Sequence, residues 1–101
     1  MVITIEDSAK EYILRKSDDH TISISIAERP GGIHNHGEVR VANQIPAVQL
    51  GKTDKAVHYL QTDIEGITVY YHPKVAQVYG KLTVSIEKLF FMKKLIARGQ
   101  N

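Results

Sequence analysis

The 101-residue chain contains no cysteine. That absence excludes disulfides, zinc–thiolate sites, iron–sulfur ligation through its own sulfur, and cysteine nucleophiles. Small secreted domains usually need disulfide staples, so their lack points to the cytoplasm. The opening Met1-Val2-Ile3-Thr4-Ile5-Glu6-Asp7 also lacks the basic-then-apolar layout of a secretory signal. Long apolar runs are missing as well. Leu89-Phe90-Phe91-Met92, the longest near the C-terminus, is far too short to cross a bilayer, and no membrane partner is expected.

Charge of one sign is never concentrated. Residues 1–50 carry five Lys/Arg against seven Asp/Glu, a net −2, and residues 51–101 carry eight against four, a net +4. Neither half has the dense basic patch of a nucleic-acid binder, so no nucleic-acid partner is expected. Catalytic signatures are missing too. There is no Ser/His/Asp set and no pair of carboxylates at a telling spacing. Gly31-Gly32 is a lone pair, without the Lys and helix start of a phosphate cradle. The expectation is that the chain is not an enzyme.

What is present describes a folded chain. A hydrophobic fraction of 43% and a charged fraction of 24% are ordinary for a globular protein, and the length suits one domain over residues 1–101. Val2 to Glu6 alternates as a short strand. Ser8-Ala9-Lys10-Glu11 has the form of a capping box, and Ala9, Tyr12, Ile13 and Lys16 follow at helical spacing, which predicts a helix over 8–16 with Tyr12 and Ile13 inward. Thr21-Ile22-Ser23-Ile24-Ser25-Ile26 sets three Ile against three hydroxyls, the pattern of a half-buried antiparallel strand.

Arg29-Pro30-Gly31-Gly32 ends that strand, and Glu38 to Val41 resumes alternation. Asn43-Gln44-Ile45-Pro46 looks like a break, Val57 to Thr62 like a strand. Glu65-Gly66 is a turn before the strand Ile67 to Tyr71. Pro73 and Gly80 bracket a short helical turn over 74–79. Leu82 to Ile86 is a strand, and Leu89 to Ala97 a last one with Phe91 or its neighbours in the core and Lys93-Lys94 wet. Strands in runs with helices at their ends predict a mainly β fold, α+β at the margins.

Three segments resemble the HesB-like family, the fold of the A-type iron–sulfur cluster carriers. Ile3 to Ile13 is similar to its opening strand and helix, Arg29-Pro30-Gly31-Gly32 to the glycine turn before its first cysteine, and Gly66 to Tyr70 with the helix 73–79 and strand 82–86 to its second half. The resemblance implies a β-sandwich-type domain with an N-terminal helix and one short later helix. Family members hold iron or a cluster with three cysteines, one after the glycine turn and two in a Cys-Gly-Cys near the C-terminus. Some small members keep only a Cys pair, or a selenocysteine–Cys pair, in the loop. This chain reads Ile33-His34-Asn35-His36 in the loop and Ala97-Arg98-Gly99-Gln100-Asn101 at the tail, so it resembles a divergent member lacking all the family cysteines. No iron–sulfur cluster is expected.

His34-x-His36 is the candidate metal site. Two imidazoles two residues apart on an extended chain point the same way and suit a divalent transition metal. Asn35, Glu38, His58 and His72 complete a site only where the fold brings them close. The plainer reading is a polar loop with two histidines in it, and for His20, His58 and His72 a surface or satisfied ring.

Lys81, Lys88, Lys93, Lys94 and Arg98 can meet an acidic partner or guard a sheet edge. Tyr70, Tyr71, Tyr79, Phe90 and Phe91 can form an aromatic patch for association, though strand spacing buries about half of them. The expected function is a non-enzymatic HesB-like accessory or binding protein that has lost cluster ligation and holds a metal ion through His34 and His36. The alternative is a purely structural interaction module, pairing with itself as a dimer or with another protein.

Overall fold

The structure, a computed structural model, describes residues 1–29 and 43–100. It is mainly β, in two mixed sheets with two α-helices. The elements run β1 (Val2–Ile5), α1 (Asp7–Lys16), β2 (Thr21–Arg29), β3 (Asn43–Leu50), a 3-10 turn (Ala56–His58), β4 (Leu60–Ile64), β5 (Ile67–Tyr71), α2 (Pro73–Val78), β6 (Lys81–Leu89) and β7 (Met92–Gln100). One sheet has the order β1-β6-β7, with β1 parallel and β7 antiparallel to β6. The other has the order β3-β2-β5-β4, with β2 parallel to β5 and the outer strands antiparallel to their neighbours. Edge strands β3 and β7 lie alongside each other, and α1 packs against β6 of one sheet and β5 of the other.

The core follows from the alternation. Ile22 and Ile24 of β2, Ile67 and Val69 of β5, Leu82 and Val84 of β6, and Leu95 of β7 are buried together with Ile5 of β1. Ala9 and Ile13, four residues apart on α1, present one helix face to them, and Val75 does the same from α2. Tyr12 packs at the margin of this cluster. Gly99 of β7 is fixed by contact, since a Cβ there would overlap the Tyr79 ring.

Several expectations are corrected. Helix α1 starts at Asp7 with Glu6 as its N-cap and no side-chain cap bond, so Ser8 already lies inside the first turn and no capping box forms. β2 is antiparallel to β3 as expected but parallel to β5, and it is not half-wet over Thr21 to Ile24. It lies inside a mixed sheet, and on its hydroxyl face Thr21 and Ser23 are buried too. Those hydroxyls are satisfied locally: Ser23 Oγ donates to Gly51 O at 2.7 Å and Thr21 Oγ1 to Asp19 O at 2.9 Å.

Pro46 does not break the chain but sits within β3, which an edge strand allows because only one side needs its N–H groups. The strand expected over 57–62 begins only at Leu60, after the 3-10 turn. The strand expected over 82–86 continues to Leu89, and the chain reverses at Phe90-Phe91, both exposed. Phe91 is therefore outside the core, and Leu95 occupies it instead.

Candidate functional site

The ladder between β2 and β3 runs out to Arg29 paired with Asn43. Antiparallel partners lie about 5 Å apart, so Arg29 and Asn43 stand side by side at the end of the sheet's edge pair. The expected ligands His34 and His36 lie outside the described residues, as do Pro30, Gly31, Gly32, Asn35 and Glu38. Among the described residues no group of three or more His, Asp or Glu is placed to hold a metal ion.

His72 sits just before Pro73, at the N-cap of α2, and its Nδ1 accepts the Lys74 backbone N–H at 3.0 Å. A neutral imidazole has one lone pair, and here the helix takes it. While His72 caps α2 it has no lone pair for a metal. The Tyr59 ring meets it edge to face at 5.4 Å and 90°. His58 ends the 3-10 turn with its side chain exposed. His20 occupies a turn at φ 49 and joins strands through its backbone, its carbonyl accepting from Thr68 N at 2.9 Å.

His72 also lines an open groove of about 480 Å³ with Ser25, Ile26, Lys55, Tyr59 and Lys74. Its position follows from the β2–β5 pairing, because His72 N donates to Ile24 O at 2.9 Å. From Ile24, β2 runs five residues to Arg29, about 16 Å at a strand's rise, so the groove lies along the strand that leads to residues 30–42. Its walls offer hydroxyl, ammonium and imidazole groups. Sequence reasoning missed this groove because its walls come from three distant segments; the one local signal was a polar residue ahead of a helix-starting proline.

The basic residues separate. Lys93, Lys94 and Arg98 stand on edge strand β7, where such charges guard an edge against pairing, while Lys81 and Lys88 belong to β6, paired on both sides over part of its length. The aromatic residues separate as well. Tyr71 and Tyr79 pack against the core, Tyr70 lies under the Lys52 ammonium at 5.6 Å, and Phe90 and Phe91 stand at the hairpin tip.

This two-sheet layout with an N-terminal helix matches known proteins. Over residues 1–100 the sequence matches the CC/Se motif containing family. The chain belongs to that family. No curated protein matches the chain. Among solved structures, a crystal structure of IscA with the [2Fe-2S] cluster is similar at TM-score 0.66 and 12% identity, over 97% of this chain and 85% of that one. A crystal structure of Escherichia coli SufA, involved in biosynthesis of iron-sulfur clusters, is similar at TM-score 0.55 and 8% identity, over 97% of this chain and 80% of that one. Identities this low establish the HesB-like fold and nothing finer.

This member of the CC/Se motif containing family has no cysteine with which to form a CC pair. The donor set does not fit a cluster held in the usual way, because thiolates carry most of that ligation even where histidine replaces some. Imidazole, carboxylate and hydroxyl groups are what the chain offers a metal ion.

Proposed function

We propose that the chain acts as one HesB-like domain over residues 1–101, a non-enzymatic accessory or binding protein that does not ligate an iron–sulfur cluster by itself. One observation carries this reading: a fold shared with IscA and SufA combined with a sequence that contains no cysteine. In this reading the protein works in the cytoplasm, and its partner is a protein or a second copy rather than a nucleic acid. The scaffold is retained while the inorganic cargo is not. Purified protein that came out brown, with iron and acid-labile sulfide and no thiol from elsewhere, would overturn it.

The metal part of the proposal rests on His34 and His36. Two imidazoles two residues apart in sequence suit zinc, iron or nickel, with the remaining ligands supplied by water, a second subunit or a partner. Calorimetric titration with each metal tests it. The expected outcome is a site whose affinity falls at least about tenfold in the His34→Ala, His36→Ala double variant, the size of effect expected even for outer-shell partners of a metal. An unchanged affinity would remove the metal from the proposal and leave the rest standing.

The second reading is an interaction module with no metal. It is favoured by His72, whose lone pair serves α2 and so is withheld from any site near the loop. It expects no heat on metal addition and a solution mass that rises with concentration.

A further inference from the structure

The β6–β7 hairpin ends in a cap that the fold does not require. Phe90 and Phe91 make its two-residue connection and are 100% and 95% exposed, and Met92 beside them is 66% exposed. Single exposed apolar residues are normal on any surface. Three in succession on one tight turn form a continuous apolar knob, which soluble surfaces generally avoid. The backbone at this point is not chosen for ease either. Phe90 has φ 58 while Phe91 stays at negative φ, the pattern of a type II′ turn, whose first central position favours glycine. Phe90 neither packs nor relaxes its own turn.

The groups behind the knob are mostly cationic. Lys88 lies directly opposite Lys93, and Lys94 opposite Glu87. Like charges facing each other across a ladder weaken it. Arg15 of α1 shares a small cavity of about 120 Å³ with Lys88, Lys93, Tyr12, Ser8 and Glu11. From residue 87 to 94 the hairpin carries one carboxylate against three ammonium groups, a net +2. Lys94 and Lys93 also border the neighbouring cavity beside Leu50, so the positive collar reaches both sides of the hairpin.

The geometry points to the β6–β7 tip as a docking element for the surface of an anionic lipid bilayer. Phe90, Phe91 and Met92 enter the boundary between headgroups and acyl chains, and Lys88, Lys93 and Lys94 face the lipid phosphates with Arg15 behind them. Shape and charge both favour this occupant over a protein. A stable protein interface takes about 800 Å² from each partner, more than a three-residue tip presents, whereas a bilayer accepts a convex knob without a preformed pocket. Lysines flanking such a knob lay their stems along it and keep their charge at headgroup level. Apolar insertion and a basic collar together are the kind of paired signal that stable membrane attachment takes, where either alone binds marginally.

No helix among the described residues is long and apolar enough to cross a membrane, and interfacial docking needs none. The inference is independent of the metal proposal, since the hairpin lies outside residues 30–42.

Co-sedimentation of the full chain with vesicles tests it. Phosphatidylcholine alone is compared with phosphatidylcholine containing phosphatidylserine. The chain is expected to sediment with the anionic vesicles and not the neutral ones, less so as salt shortens screening from about 30 Å at 0.01 M to about 8 Å at 0.15 M. Phe90→Ser with Phe91→Ser is expected to lower the partition at least about tenfold, and each of Lys88→Gln, Lys93→Gln and Lys94→Gln about fivefold. Circular dichroism is expected to be unchanged, because the two phenylalanines touch no core residue. The chain has no tryptophan, so Phe91→Trp supplies a single tryptophan at the tip, excitable apart from the five tyrosines, with a blue shift expected on anionic vesicles.

Failure to sediment with anionic vesicles would overturn the proposal, as would a partition indifferent to the Phe90→Ser, Phe91→Ser pair. So would a concentration-dependent mass that this pair abolishes in a protein that ignores vesicles, which would make the tip a contact between copies.

Discussion

Two hairpins in this molecule have connections of the same length and opposite character. The β4–β5 hairpin turns through Glu65-Gly66, with φ 49 and 86, the pair of positive values typical of a type I′ turn. The β6–β7 hairpin turns through Phe90-Phe91, with a positive φ at the first residue only. At the first, core reaches the turn: Ile67, the residue after Gly66, is fully buried. At the second, core ends at the Ile86–Leu95 pair and the ladder runs on through Glu87–Lys94, Lys88–Lys93 and Leu89–Met92. One connection serves the backbone that makes it. The other projects side chains into solvent, on a stalk the core does not need.

The comparison makes its largest demand at the foot of the first hairpin. Ile67→Ala removes a fully buried side chain next to the turn and is expected to cost about 3 kcal/mol, measured by denaturant unfolding. Phe91→Ala, within the second turn, is expected to change stability by less than about 0.5 kcal/mol. Equal losses at both positions would mean that the stalk is packed after all.

A smaller effect is expected within the first turn itself. Gly66 has open space where a Cβ would stand, so Gly66→Ala meets no neighbour and acts only through φ 86. The expected loss is about 1 kcal/mol, from placing an L side chain in left-handed backbone. The Lys10–Glu65 ion pair beside it, at 3.5 Å on the surface, adds little. A neutral Gly66→Ala would show that the turn relaxes to another geometry.

The first hairpin was readable because its signals are local. Glu65-Gly66 followed by Ile-Thr-Val-Tyr-Tyr names a turn and a strand by composition, and Pro73 names a helix start in the same way. The buried faces of β2 and α1 followed from period alone. What failed depended on neighbours that periodicity does not show. Phe91 or its neighbours were expected in the core because they are apolar and read as the start of a last strand, but composition cannot show where the opposing layer stops. The hydroxyl face of β2 was expected wet because nothing in Thr21 to Ile26 announces that Gly51 will cover it.

Ser8 and Glu11 have the spacing of a cap, yet the helix begins a residue earlier, continuing straight from β1. The candidate site divides in the same manner. His72 before Pro73 was visible as a residue, but its capping role and its Tyr59 contact arise from placement. The loop histidines stand on segment pairing that reaches only Arg29 and Asn43.

The subtlest test exchanges the character of the two turns. Phe90→Gly removes an exposed side chain from φ 58, relieving a backbone cost of about 1 kcal/mol while giving back part of it as freedom of the unfolded chain. A net gain of roughly 0.5 kcal/mol is expected, opposite in sign to Gly66→Ala. If Phe90 is there for what it touches outside the molecule, the steadier variant should also be the poorer binder of anionic vesicles. That joint outcome, higher stability with weaker partition, is the trade expected wherever a functional surface is held in an unfavourable conformation. A variant that loses stability instead would assign Phe90 a structural role that its complete exposure argues against.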